Sequence, residues 1–137
     1  MDITIRVEWD MGHRLPNHGG LCRNLHGHRY AAEVTLRGPV IADPGAPDEG
    51  MVVDFGPVKG HVRHLLKGYD HMFLIYSGDD FLPQLLRVPG VVPVPWIPTA
   101  ENIAAALLKQ LRTDMVTGAD VVRLRLYETP TSWADAS

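Results

Sequence analysis

Two histidines, His26 and His28, flank Gly27 in the stretch NLHGHRY, and their spacing constrains the fold more than any other feature. On a helix, side chains two positions apart point in nearly opposite directions, whereas on a strand they point to the same face. Two strand steps separate Cα atoms by about 7 Å, and imidazoles that lean together from that distance can bind one metal ion. The spacing therefore favours a strand that presents both histidines on one face.

The residues that follow continue the pattern of a strand. The stretch 26–38 is rich in Tyr, Val, Thr and Leu, which favour strands. Strict alternation would place His26, His28, Tyr30, Ala32, Val34 and Leu36 on one face, and Arg29, Glu33, Thr35 and Arg37 on the other. The stretch 3–9 alternates in the same way, which predicts a second half-buried strand.

Two helices and a further strand are predicted downstream. The stretch 56–68 is expected to form the first helix, with a proline in its first turn. The second helix is expected to begin after a Thr99 cap and to end at Gly118, and 119–129 is the last predicted strand. The remaining predictions are a short strand or edge at 51–55, loops at 11–25 and 38–50, a loop with a short helical turn at 76–90, and a proline-broken extended piece at 91–98. This order indicates an α+β fold, with an antiparallel sheet covered on one face by two helices.

Length and composition limit the possible functions. The 137 residues fit one domain, 1–137, and a chain that is 45% hydrophobic and 21% charged is typical of a globular protein. The net charge of −3 and the lack of a Lys/Arg-rich stretch argue against a nucleic-acid partner. No apolar run is long enough to cross a membrane, and the alternating, charged N-terminus does not resemble a signal peptide. We therefore expect a cytoplasmic protein without a membrane partner.

A third imidazole, that of His13, follows directly on the first predicted strand. Three histidines from two neighbouring strands form a ligand set typical of catalytic zinc, which keeps a fourth position open. The alternative is that they are unrelated polar residues, but their combined spacing favours a metal. His18 lies in a Pro/Gly loop, and His61 and His64 lie off the apolar stripe of the first predicted helix, so we expect these three at the surface.

The only cysteine, Cys22, lies four residues before His26 and allows three roles. Its thiol could act as a base or nucleophile beside the metal. It could instead be a fourth ligand that closes a structural zinc site, or a small buried apolar residue. The sequence pattern alone leaves these roles open.

Three carboxylates are further candidates for chemistry. Asp70 precedes His71, and an aspartate can fix the tautomer of an imidazole. Adjacent residues on a strand point to opposite faces, so contact between these two would require a turn. Glu101 lies in the first turn of the second predicted helix, where it complements the helix dipole. Glu128 ends the last predicted strand and could receive the two donors of a guanidine-like ring edge.

Six motifs occur in an order that resembles one enzyme family. They are HRLPN, CRNLHGHRY, GMVVDF, DH, PTAENIA and YET, between about Trp9 and Thr129. The order is similar to that of the 6-pyruvoyltetrahydropterin synthase / 6-carboxytetrahydropterin synthase family. The resemblance implies a tunnelling fold, in which each subunit has a four-stranded antiparallel sheet with two helices on one face. It also implies an oligomeric barrel of three subunits, with two trimers stacked as a homohexamer.

The resemblance also implies roles for individual residues. It implies that zinc (Zn2+) binds His13, His26 and His28. It implies that Cys22 is the catalytic thiol, with Asp70 and His71 as acid/base partners from a neighbouring subunit. It implies that Glu128, with Glu101 and Thr99, binds the pterin ring of 7,8-dihydroneopterin triphosphate.

Two activities of this family fit the motifs. The favoured one is 6-carboxytetrahydropterin synthase of the queuosine and 7-deazaguanine pathway, which releases acetaldehyde and triphosphate. The alternative activity is that of the 6-pyruvoyl enzyme of biopterin synthesis. A lesser alternative without catalysis is a relative that binds zinc or a pterin. The chain departs from the family pattern at Gly12, where alanine is usual and where we expect no consequence, and in the long proline-rich stretch 77–97.

Overall fold

The computed structural model describes residues 1–137 and contains six strands and three helices. In chain order the elements are β1 (Asp2–His13), β2 (His26–Arg37), α1 (Phe55–Leu66), β3 (Phe73–Tyr76), α2 (Leu82–Leu85), β4 (Val91–Val94), α3 (Ala100–Asp114), β5 (Asp120–Thr129) and β6 (Ser132–Ala136). A 3-10 turn at Leu21–Arg23 lies between β1 and β2. None of the helices has the length and apolar character needed to span a membrane.

All six strands form one sheet, in the order β4-β3-β1-β2-β5-β6. The strands β1, β2, β5 and β6 pair antiparallel and form the four-stranded sheet that the family resemblance implied. The expected strand count is nevertheless wrong, because β3 and β4 extend the sheet beyond β1. Both added strands are four residues long and pair in parallel, β3 with the end of β1 and β4 with β3.

Strand β1 is longer than predicted and continues through the first part of the expected loop 11–25. Its last four residues pair with the first four of β2, from Asp10 opposite Arg29 to His13 opposite His26. Gly12 and His13 also pair with β3. Pairing on both sides keeps this polar, glycine-containing end of the strand extended. Such pairing cannot be predicted from the local sequence.

The two long helices each begin after a residue whose side chain caps the first turn. The Asp54 carboxylate accepts a hydrogen bond from the backbone N–H of Gly56 at 2.8 Å, so α1 begins at Phe55 with Pro57 in its first turn. The prediction of a strand or edge at 51–55 is therefore wrong. The short helical turn predicted in 76–90 is confirmed as α2.

The second long helix, α3, confirms the Thr99 cap but ends earlier than predicted. The Thr99 hydroxyl accepts a hydrogen bond from the backbone N–H of Asn102 at 3.3 Å. The helix ends at Asp114, not at Gly118, because Met115 already has an extended conformation. The side chain of Met115 is buried and closes the end of the core.

The core lies between the helices and one face of the sheet. It includes the buried face of β1 and β2 and the apolar stripes of α1 and α3: Ile5, Val7, Trp9, Tyr30, Val34, Leu36, Val58, Val62, Ile103, Leu107 and Leu111. In the predicted strand 119–129, regular alternation with Leu124 and Leu126 would place Val122 on the core face, and this expectation is wrong. The pairing register shifts between Thr35 and Leu36, so that Val121, not Val122, faces the core. The other face of the sheet carries ion pairs such as Arg6–Glu33 at 3.2 Å and is open.

Candidate active site

Three imidazoles meet where β1 ends and β2 begins. His13 lies directly opposite His26 in the β1–β2 ladder, and His28 follows two residues later on the same face. One ring nitrogen from each lies within 4.8 Å of the others, so the group could hold a metal ion. The prediction that the three histidines converge across two neighbouring strands is confirmed.

Backbone carbonyls fix the orientation of two of the rings. Nδ1 of His13 lies 2.6 Å from the carbonyl oxygen of Pro98, and Nδ1 of His26 lies 2.8 Å from that of Asn24. A carbonyl oxygen only accepts, so each Nδ1 carries the proton and donates it. The Nε2 atom of each ring then keeps its lone pair, as in metal-binding histidines whose other nitrogen is bound by an outer partner.

Two of the Nε2 atoms in the cluster have no hydrogen-bond partner within the protein. Nε2 of His26 and Nε2 of His28 are buried and make no hydrogen bond. Buried polar atoms are nearly always hydrogen-bonded, so two unpartnered nitrogens in one cluster are unusual. A metal ion would satisfy both lone pairs, and three imidazole donors match zinc in catalytic sites. The residues of the cluster thus fit a zinc ion.

The electrostatics of the cluster favour neutral rings. Burial lowers the pKa of His13 and of His28, although the nearby Glu128 carboxylate acts in the opposite direction on both. The two Glu128 oxygens lie 3.8 Å from Nε2 of His13 and Nε2 of His28. Burial also raises the pKa of Tyr30, whose hydroxyl lies 3.4 Å from the His13 ring nitrogens. Neutral imidazole is the form that binds a metal.

Asp70 and His71 form a pair within one chain. Nδ1 of His71 donates to the Asp70 carboxylate at 2.9 Å, because the residues lie in a turn in which His71 has a φ of 60°. Contact between these adjacent residues was expected to require a turn, and the structure has that turn. Asp10 on β1 fixes the turn: its N–H donates to Asp70 Oδ1 at 3.2 Å, and its carbonyl accepts from the N–H of His71 at 2.7 Å. The His71 side chain is 77% exposed and thus accessible to a ligand.

A cleft of about 580 Å³ has both His28 and His71 in its wall. Gly12 and Gly27, which face each other across the β1–β2 ladder, also line it. A Cβ atom at Gly12 would lie 2.6 Å from Cδ2 of Phe73, another residue of the wall. In this chain the Phe73 ring occupies the space that a methyl group at position 12 would take, so an alanine there would require the ring to move.

The other predicted site residues lie outside the histidine group. Cys22 is partly buried in the 3-10 turn, and its carbonyl accepts from the N–H of Leu15 at 2.9 Å. The group that could hold a metal contains the three histidines and does not extend to the thiol. Glu101 is exposed in the first turn of α3 and lines a groove with Asp135, while the Thr99 hydroxyl caps the same helix.

Residues outside the predicted set also contribute to the site. The carbonyls of Asn24 and Pro98 orient two imidazoles, and a buried ion pair joins Arg14, the residue after His13, to Asp79. No sequence signal identifies a carbonyl as a partner, and the ion-paired residues are 65 positions apart. Of the histidines predicted at the surface, His18 and His64 are exposed, and His61 is partly buried.

Comparisons with known proteins agree with this geometry. The family model of 6-pyruvoyl tetrahydropterin synthase matches residues 2–137. The 6-carboxy-5,6,7,8-tetrahydropterin synthase of Rickettsia bellii is 33% identical, over 96% of this chain and 96% of its own. The enzyme of the same name from Haemophilus influenzae is 32% identical, over 97% of this chain and 96% of its own.

Solved structures show the same fold at lower identity. An uncharacterised protein of Wolinella succinogenes superimposes with a TM-score of 0.79 at 24% identity, covering 99% of this chain and 98% of its own. The 6-pyruvoyl tetrahydropterin synthase of Caenorhabditis elegans gives a TM-score of 0.74 at 23% identity, covering 99% and 94%. The fold is the tunnelling fold, and the chain belongs to the 6-pyruvoyl tetrahydropterin synthase family.

Proposed function

We propose that this chain is a zinc-dependent 6-carboxy-5,6,7,8-tetrahydropterin synthase, a lyase of queuosine and 7-deazaguanine biosynthesis. It would convert 7,8-dihydroneopterin triphosphate and one water molecule to 6-carboxytetrahydropterin, acetaldehyde and triphosphate. The observation that carries this proposal is the cluster of three histidines, with two unpartnered buried Nε2 atoms beside a carboxylate. Relatives that match over nearly the whole chain are named 6-carboxy-5,6,7,8-tetrahydropterin synthase, which supports 6-carboxytetrahydropterin as the product.

In this proposal His13, His26 and His28 hold Zn2+ and leave one position for the substrate. The bound ion supplies Lewis-acid chemistry, which makes the hydroxyls of the substrate side chain more acidic. The carbonyls of Asn24 and Pro98 keep two of the rings in the tautomer that binds metal. Burial lowers the pKa of His13 and of His28, so that protons compete less with a metal ion at these two rings.

Cys22 and His71 would exchange protons with the substrate. The thiolate of Cys22 would take a proton from a side-chain carbon, and Nε2 of His71 would exchange a second proton with the substrate. Asp70 accepts from Nδ1 of His71 at 2.9 Å, which orients the ring and fixes its tautomer. The left-handed backbone of His71 supports a functional role, since non-glycine residues with positive φ are concentrated at active sites.

Glu128 would bind the pterin ring, together with Glu101 and Thr99. The two Glu128 oxygens can accept from the two N–H groups on the guanidine-like edge of a pterin. The Glu128 side chain is 26% exposed and lies between the histidine cluster and solvent, which suits a carboxylate that receives a ligand. Glu101 is exposed in the first turn of α3, so its carboxylate could accept from a ligand.

The proposed assembly is a cytoplasmic homohexamer, a dimer of trimers with active sites between subunits. The outer edge of β6 has no pairing strand within the chain, and neither has the outer edge of β1 before Gly12. Exposed strand edges of this kind favour pairing with another copy. In the hexamer, Asp70 and His71 would serve the site of a neighbouring subunit, which agrees with the exposure of His71.

Product analysis tests the activity. The purified zinc-loaded protein is incubated with 7,8-dihydroneopterin triphosphate, and the products are identified by mass spectrometry. Acetaldehyde with 6-carboxytetrahydropterin is the expected result. A 6-pyruvoyl product with all side-chain carbons retained would assign the alternative named by the family model, 6-pyruvoyl tetrahydropterin synthase. No conversion would favour a non-catalytic zinc- or pterin-binding protein.

A further inference from the structure

A buried ion pair involves Arg14, the residue that follows His13 at the end of β1. Nε of Arg14, the residue after His13, donates to Oδ2 of Asp79 at 2.7 Å. The side chains are 6% and 0% exposed, so both charges are removed from water. The second Asp79 oxygen accepts from the N–H of Phe81 at 2.8 Å, and the Arg14 guanidinium stacks on the Phe81 ring at 4.3 Å from its centroid. Each charge therefore has specific partners.

Such a pair is poorly explained by stability alone. Burying two charges costs about as much as their attraction returns, and apolar replacements of similar volume are often as stable or more so. Buried pairs are better suited to fixing one arrangement of the chain. The arrangement fixed here is that of the segment 77–98, which includes the long proline-rich stretch.

This segment contacts His13 and Arg14 at its two ends. Near its start, Asp79 binds Arg14, and at its end the Pro98 carbonyl accepts from Nδ1 of His13 at 2.6 Å. In between, the N–H and the hydroxyl of Ser77 both donate to the carbonyl of Val94, at 2.8 and 2.9 Å. These contacts close a ring through the backbone, from Arg14 to Asp79, across to Val94, on to Pro98, and back to His13.

We propose that Arg14 and Asp79 are positioning residues for the metal ligand His13. By holding the segment 77–98 against the end of β1, they keep the Pro98 carbonyl where it orients the His13 ring. The inference rests on the metal site of the proposed function. Outer partners of metal-binding histidines typically change metal affinity by about 10- to 100-fold when they are lost.

The test compares two aspartate-to-asparagine variants. Asp79→Asn removes the buried charge while keeping the size of the side chain. Asp135→Asn is the matched control, because Asp135 forms an equally close but exposed bidentate pair with Arg125, at 2.8 Å for both bonds. Zinc affinity is measured by competition with a chromophoric chelator, at a temperature where far-UV circular dichroism shows each variant to be folded.

We expect Asp79→Asn to bind zinc about 10- to 100-fold more weakly than the wild type. Asp135→Asn should stay within about twofold, as expected for an exposed pair. Wild-type zinc affinity in folded Asp79→Asn, even with a lowered melting temperature, would overturn the inference and leave the pair a purely structural role.

A second variant keeps the test decisive if Asp79→Asn does not fold. Arg14→Lys retains the charge but loses the planar fork that binds Asp79 and stacks on Phe81. Zinc affinity several-fold below that of the wild type is expected, and unchanged affinity in the folded variant would overturn the inference. Absence of zinc binding by the wild type would instead refute the proposed function, so the two failures are distinguishable.

Discussion

Nδ1 of His13 donates to the carbonyl oxygen of Pro98 at 2.6 Å, across 85 positions of the chain. The bond joins the end of strand β1 to the residue before the Thr99 cap of α3. It leaves Nε2 of His13 to face Glu128 at 3.8 Å and to complete the histidine cluster. This one hydrogen bond thus connects the sheet, the start of α3 and the candidate metal centre.

Replacement of His28 by alanine should abolish stoichiometric zinc loading. The substitution removes one of three ligands, and the remaining two imidazoles would leave the ion two open positions. Zinc content is measured by atomic emission after dialysis against metal-free buffer. The control is His18→Ala, which removes an exposed histidine outside the cluster. This variant should bind as much zinc as the wild type. Full zinc content in His28→Ala would exclude the ligand assignment.

Replacement of Cys22 by alanine should preserve zinc and remove turnover. The thiol lies outside the three-histidine group, so metal content should not change. Loss of a proton-transfer group should lower kcat by at least about 100-fold. Steady-state release of triphosphate, measured beside zinc content, separates the two effects. Normal turnover would refute the catalytic role, whereas loss of zinc would indicate that the sulfur is a ligand.

The metal-free protein should lose stability as the pH falls from about 7.5 to about 5.5. Burial lowers the pKa of His13 and of His28 below about 6.5, the ordinary value of an imidazole in an unfolded chain. Between these values the unfolded state binds more protons than the folded state, so the free energy of unfolding rises with pH. Urea unfolding in the presence of a chelator measures this slope.

The same experiment on His28→Ala identifies the groups responsible for the slope. One of the two perturbed imidazoles is then absent, so stability should depend less steeply on pH than in the wild type. The exposed-site variant His64→Ala should keep the wild-type slope. A wild-type stability that is constant or increases towards pH 5.5 would contradict the assignment of buried, neutral rings.

Alanine at position 12 should destabilise the protein by about 1–3 kcal/mol, as overpacking does. The new methyl group would lie 2.6 Å from Cδ2 of Phe73, so the ring would have to move into the cleft. The control is Gly60→Ala, inside α1, where a methyl group meets no atom within 4 Å. That substitution should stabilise by about 0.5–1 kcal/mol. Equal melting temperatures for Gly12→Ala and the wild type would refute the steric argument.

The histidine cluster could be predicted from the sequence because its geometry is local to two paired strands. Alternation fixes the face on which His26 and His28 lie, and antiparallel pairing places His13 opposite His26. The caps of α1 and α3 are similarly local, since Asp54 and Thr99 bind N–H groups two and three residues away.

Features that depend on distant contacts could not be predicted in this way. The strands β3 and β4 are four residues long and carry no clear alternation, and they become strands by pairing beside β1. The shift of Val121 into the core arises from the register between β2 and β5, not from the pattern of β5. The Arg14–Asp79 pair and the Pro98 carbonyl depend on the path of the segment 77–98, which only the tertiary structure reveals.

The most direct test of this account is the coordination shell of zinc in the loaded protein, measured by X-ray absorption spectroscopy. In the proposed site three imidazoles bind the ion, a fourth position is open to solvent or substrate, and the thiol of Cys22 is free to act as a base. The predicted spectrum shows nitrogen or oxygen scatterers at about 2.0–2.1 Å, with the multiple scattering of imidazole and no sulfur. A sulfur scatterer at about 2.3 Å would show that Cys22 closes the site, and would contradict the account by making the zinc structural.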